Sequence, residues 1–147
     1  MPSTVSKAVE AADAIVELLN HGLDNDLFEA DFEPVRAYRP VLDTGALSDL
    51  TVSVIPRGNG LAKETRGNLR NDVTCSIVVQ QRVANSSNAV IDPLVLIVQQ
   101  IADLLASSGL DIEATRYGVE MPNLVREDHL GQNIFTSYID VTYRLLT

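Results

Sequence analysis

Asp72-Val73-Thr74-Cys75-Ser76-Ile77-Val78-Val79-Gln80-Gln81-Arg82-Val83 is the stretch on which the fold turns. Val73, Cys75, Ile77 and Val79 point one way and Thr74, Ser76, Gln80 and Arg82 the other, the two-residue period of a strand with one buried and one wetter face. Upstream, Leu50 to Ile55 repeats the pattern: Leu50, Val52 and Val54 oppose Thr51, Ser53 and Ile55, and Pro56 is expected to end the strand. Downstream, Ile134 to Leu146 alternates over its whole length, with Phe135, Ile139, Val141, Tyr143 and Leu145 opposite Thr136, Tyr138, Asp140, Thr142 and Arg144.

Around these strands lie two stretches of helical period. From about Thr4 to Asn20, the residues Val5, Ala8, Val9, Ala12, Ile15, Val16 and Leu19 form one apolar stripe, with His21-Gly22 as the expected stop. The second helix is expected to take Asp92 as its N-cap and Pro93 as its first residue, and to end at Gly109. Its stripe is Leu94, Ile97, Val98, Ile101, Leu104 and Leu105. Between the first helix and the strands, an acidic connector is pinned by Phe28 and Phe32, and Phe32 to Leu42 reads as an extended segment. Pro34 and Pro40 place that segment on an edge. Asp43-Thr44-Gly45 is a turn, Ile112 to Tyr117 a short strand, and Gly118 to Asn133 a long loop with a turn at Met121-Pro122-Asn123.

Strands joined without crossover helices should pair as an antiparallel meander, and two helices with one stripe each should share its apolar face. The expected fold is therefore α+β: a two-layer sandwich of a mostly antiparallel four- to five-stranded sheet with both helices on one face. A chain of 147 residues suits one domain, taken as 1–147.

Charge narrows the function. Twenty acidic against eleven basic side chains give a net charge of −9, the wrong sign for a free-standing nucleic-acid binder. The imbalance is local. Met1 to Pro34 carries −7, whereas the segment Arg57 to Asn71, read as a long irregular hairpin loop, carries +3 through Arg57, Lys63, Arg66 and Arg70 against Glu64. Like copies could pair the basic loop of one with the acidic region of the next, a head-to-tail contact of the kind that closes into rings. Those four cations are the candidate interface residues.

Sites of chemistry are weakly marked. Gly58 and Gly60 match the start of a dinucleotide fingerprint, but Lys63 stands where the third glycine belongs and no strong helix pattern follows. Cys75 falls on the apolar face of its strand, with neither His21 nor His129 near it in sequence. Glu127-Asp128-His129 are consecutive loop residues, which rarely converge on a metal. One cysteine excludes an intramolecular disulfide. No targeting signal is read in the first residues, and the apolar run Leu94 to Val98 falls short of a membrane span. A cytosolic setting follows, in which the acceptor-like Asn85-Ser86-Ser87 is chance. No cofactor, metal or catalytic residue is expected.

The whole arrangement resembles a known family. The segments concerned are the N-terminal helix, Arg36-Ala37-Tyr38-Arg39-Pro40, Leu50-Thr51-Val52-Ser53-Val54-Ile55-Pro56-Arg57-Gly58, Val78-Val79-Gln80-Gln81-Arg82, the helix from Asp92-Pro93 to Leu105, and Phe135 to Arg144. Their layout is similar to the small phage neck proteins of the lambda-type tail-terminator kind. The resemblance implies a non-enzymatic ring, usually a hexamer, in the tail or neck of a virion assembled in the host cytoplasm. Such a ring ends growth of the tail tube and joins it to a head connector or stopper protein. Its partners would be further copies of itself, the tube protein and the connector, with DNA crossing the lumen without specific binding and no membrane involved. The alternative is a small cytosolic α+β enzyme or ligand-binding domain, since fold alone does not decide function.

Overall fold

A computed structural model describes residues 5–41, 47–65, 68–110, 112 and 114–146. In chain order these form α1 (Lys7–Asp24), β1 (Pro34–Arg36), β2 (Thr51–Thr65), β3 (Asn68–Arg82), α2 (Asn88–Ser107), β4 (Ala114–Asn123), α3 (Glu127–Leu130) and β5 (Ile134–Leu146). The strands make one five-stranded sheet in the order β1-β2-β3-β5-β4. The fold is α+β, as the alternation and the helical stripes predict.

One face of the sheet takes both long helices. Val52 and Val54 of β2, Val73, Cys75, Ile77 and Val79 of β3, and Ile139, Val141 and Tyr143 of β5 join Ala11, Ile15 and Leu19 of α1 and Val98, Ile101 and Leu105 of α2 in a single buried cluster. The register explains the match: Val79, Ile77, Cys75 and Val73 oppose Ser137, Ile139, Val141 and Tyr143, so equal faces meet across the strands.

Helix boundaries shift from their expected places for local reasons. Ser6 caps α1, its hydroxyl accepting from the Val9 N–H at 3.1 Å. The helix runs past Gly22, which is not its stop. A Cβ there would lie 2.8 Å from both Leu104 and Phe28, so glycine lets α1 approach α2 and the connector closely. The turn beyond α1 is closed by Asn25, whose amide donates to the His21 carbonyl at 2.8 Å, and by Asp26 at φ 55°. Helix α2 begins at Asn88 after Ser87, so Asp92 is not its N-cap and Pro93 lies inside the helix. Pro93 is the sixth residue of the helix, beyond the first four N–H groups that have no intrahelical partner, so it leaves one backbone carbonyl of the helix without its donor. The helix ends at Ser107, before Gly109. It is 20 residues long and apolar enough by composition to span a membrane, its most apolar 18-residue window having a mean hydropathy of 1.7. Its whole stripe from Leu94 to Leu105 is nonetheless buried against the sheet.

The edges of the sheet depart most from the expected meander. β1 is only Pro34 to Arg36 and pairs with Val52 to Val54 in parallel, not antiparallel. The segment that leaves β1 lies over the face opposite the helices at Val41, on its return towards β2. Gln80 fixes that return: its Oε1 accepts from the Val41 N–H at 3.0 Å and its Nε2 donates to the Val41 carbonyl at 3.1 Å. This double bond pair is why Gln80 can be buried on a face expected to be wetter. Asp43-Thr44-Gly45 lies outside the described residues. At the other edge, much of the expected loop Gly118 to Asn133 is strand and helix: β4 continues to Asn123, with an irregular register between Glu120 and Asn123, and α3 follows.

Phe28 and Phe32 do pin the connector, their rings 5.3 Å apart with Phe32 buried. Ile101, fully buried between α2 and the sheet, tests the core. Ile101→Ala is expected to lower unfolding stability by about 2–5 kcal/mol through the cavity it leaves, read as a lower denaturant midpoint at unchanged slope.

Candidate functional site

The segment from Arg57 to Asn71 is not an irregular loop. β2 continues through Pro56 to Thr65, and β3 begins at Asn68, so the two form one long antiparallel hairpin. A register shift between Pro56 and Gly58 makes a bulge that admits the proline and turns the strand. Gly58 and Gly60 lie within this strand opposite Thr74 and Asp72, with no helix after them, so they do not form a phosphate cradle.

The four candidate cations are divided by this geometry. Arg57 lies over the sheet face away from the helices, its Nε donating to Ser76 Oγ at 3.2 Å. Arg70 stands near the end of the β3–β5 pairing, its Nε 3.5 Å from the Asp72 carboxylate. Lys63 is opposite Leu69 in the outer part of the hairpin, and Arg66 lies outside the described residues. They mark the root and the outer part of one hairpin; Arg57 and Arg70 are each held by their own neighbour.

Beside Arg57 runs a polar ladder that alternation alone did not reveal. Three successive cross-strand pairs of β3 and β5 are bonded side chain to side chain: Asp72 with Arg144 at 2.9 Å, Thr74 with Thr142 at 3.1 Å, and Ser76 with Asp140 at 2.6 Å. The residues were legible as polar; their partnership depends on register. Ser76 both accepts from Arg57 and donates to Asp140, completing a chain of three side chains. Arg57, Thr74, Ser76, Pro122, Tyr138 and Asp140 line an open groove of about 360 Å³. The serine hydroxyl there is engaged in holding strands together, and the base beside it is a carboxylate, not an imidazole.

Asp72 is the strongest electrostatic joint of the ladder. The hydrogen bond from Arg144 holds its carboxyl below the ordinary carboxylate range; partial burial opposes this, and the charges of Arg144 and Arg70 add to it. At the β1 edge of the sheet Arg36 joins Asp13 at 2.8 Å and donates to the Tyr38 hydroxyl at 3.2 Å, which ties β1 to α1.

The remaining candidates are placed apart. Cys75 is fully buried in the core, and burial pushes its thiol up to about 12. Glu127, Asp128 and His129 form α3. Asp128 is held by Arg126 through two bonds of 3.1 and 2.8 Å, and that hydrogen bonding lowers its carboxyl. His129 Nδ1 meets Thr136 Oγ1 at 2.8 Å. No three His, Cys, Asp or Glu side chains among the described residues are grouped to hold a metal. His21 sits in the last turn of α1, beside Asn25.

Compared with models of protein families and with curated proteins, the sequence matches none.

Two measurements follow from the electrostatics. A folded carboxyl with a lowered pKa adds stability above its unfolded value, and that stability disappears as pH falls through the folded one. Asp72→Asn should therefore melt below the wild type at pH 7, and the difference should vanish at a pH below the folded value; a gap independent of pH would rule out the charge. Cys75 should react with a thiol reagent only as fast as the native protein opens, so its labelling rate should follow added denaturant.

Proposed function

We propose that this chain is a structural assembly protein of the phage tail-terminator kind, a ring at the head-proximal end of a tail that ends tube growth and meets the head connector. The reading is carried by the long hairpin. β1 covers β2 only as far as Val54, apart from one further bond from the Ala37 N–H to the Val54 carbonyl. From Ile55 to Thr65 the outer edge of β2 has no strand beside it among the described residues. On the other side β5 reaches only to Arg70, so the hairpin continues past the body of the sheet. Unpaired strand edges and projecting hairpins are costly to leave in solution, and proteins that keep them commonly use them to meet another chain.

Three further features agree with a ring. The molecule is anchored by a rigid sheet and two helices, so a hairpin at its margin can hold a fixed direction. The polar ladder stiffens the hairpin's root with cross-strand bonds. The net charge of −9 per chain suits a lumen through which DNA must pass without adhering. The assembly would be of identical copies, six by the family pattern, located in the tail or neck of the virion, with the tube and connector proteins on its two faces.

Negative-stain microscopy and native mass spectrometry of the purified protein are expected to show closed rings. Replacing residues 62–70 by Asn-Gly, a two-residue turn that shortens the hairpin, should leave a cooperative melt and abolish the rings. A wild type that stays monomeric at low and high salt and at all concentrations would overturn the reading.

A further inference from the structure

The hairpin and the acidic region lie at opposite ends of the same strand. β2 begins at Thr51 beside β1 and ends at Thr65 at the hairpin's far end, about 45–50 Å away at ordinary strand rise. At the beginning of β2, between the connector and α2, is a groove of about 620 Å³. Glu29, Asp31 and Asp49 line it together with Leu50, Leu94 and Leu96. It is thus apolar in part and acidic in part. Leu96, which lies off the buried stripe of α2, is 47% exposed there.

The acids of this groove are held in place yet free to act outward. The Glu29 N–H donates to Gln100 Oε1 at 2.9 Å, and the ring pair Phe28–Phe32 brackets the same stretch, so the backbone is fixed against α2. Their carboxylates take part in no ion pair among the described residues. Asp24 to Glu33 holds five acids and no base.

The hairpin has the converse character. Leu61 on its outer part is 66% exposed. By sequence Arg57 to Asn71 carries +3, of which Lys63-Glu64-Thr65-Arg66 contributes +1 and Arg57 and Arg70, held by Ser76 and Asp72, the rest. One end of the strand therefore offers the exposed Leu61 in a segment of net positive sequence charge, and the other a groove of acids with the exposed Leu96, the half-buried Leu50 and the buried Leu94.

We propose that the hairpin of one copy docks into the groove of the next, Leu61 meeting the Leu50–Leu94–Leu96 surface and the hairpin cations meeting Glu29, Asp31 and Asp49. The occupant is a second copy of this chain because the chain itself supplies both halves of the match. Contacts between opposite ends of identical molecules are heterologous and propagate from copy to copy, closing into a ring when the rotation per step allows. The net charge of −9 makes copies repel at long range, so local complementarity must orient them, and salt must weaken the contact. This contact rests on the self-association reading above and gives it an address.

A charge swap tests it. Lys63→Glu with Arg66→Glu reverses the hairpin, and Glu29→Lys with Asp31→Lys reverses the groove. Sedimentation velocity on each variant should show self-association weakened about a hundredfold or more, because like charges then face one another. The chain carrying all four substitutions should re-associate, and so should an equimolar mixture of the two variants, in which each hairpin finds a groove of opposite sign. Thermal melts confirm that each variant is folded, and rescue in the fourfold chain excludes misfolding as the cause. An assembled wild type that neither reversal weakens, or a fourfold chain that stays dissociated, overturns the docking contact alone. A wild type that never associates overturns the self-association reading with it.

Discussion

The pairing of β3 with β5 is the constraint on which everything else in the molecule depends. The two strands stay in register from Arg70–Leu146 to Arg82–Ile134 without a bulge. In an antiparallel ladder, a slip of one residue would exchange the faces of an entire strand. Here it would carry Cys75, Ile77 and Val79 out from under the helices and bring Thr74 and Ser76 in. The burial of Ile139, Val141 and Tyr143 beneath the helices therefore selects one register, and that register sets the polar ladder on the opposite face.

Each face then answers a different need. The helix face buries apolar surface, the main favourable term in folding. It takes in Cys75 as a small apolar side chain, with its thiol kept protonated by burial. The opposite face buries Val78 and Ile55 but is otherwise largely polar, with side chains that bond to each other or to a returning segment of backbone, as Gln80 does to Val41. Such a face can be covered without orphaning donors, and it holds β3 to β5 through the ladder and β2 to β3 through Arg57 and Ser76. The hairpin is in this sense a product of the core: β3 is paired on both edges, with β2 and β5, up to Arg70, and the strands beyond inherit its direction.

Legibility followed the strength of periodicity. The apolar stripes of α1 and α2 and the alternation of β5 identified those elements, and β5 runs between its expected limits, Ile134 and Leu146. The hairpin was hidden because Gly58-Asn59-Gly60 and Asn68 to Asn71 have neither alternation nor β-branched residues, and the ladder with β3 supplies the order that side chains do not. Pro56 read as an end because proline cannot donate to a ladder, whereas a bulge on an edge strand accommodates it. In β4 the sequence Gly118-Val119-Glu120-Met121-Pro122 looked like loop because of its glycine and proline, and pairing with β5 made it strand. Asp92-Pro93 was a convincing helix start, yet α2 gains another turn from Ser87 onward.

Composition and periodicity were enough to establish an α+β chain with two amphipathic helices, a long half-buried strand pair and a division of charge between an acidic beginning and a basic middle. Those properties are local, written in the order of side chains along a few turns or rungs. The parallel placement of β1, the projection of the hairpin and the bonding of Arg57 through Ser76 to Asp140 belong to the folded molecule alone. They join residues far apart in the chain, and the register of β3 on β5, chosen by the burial of one face, is what brings them together.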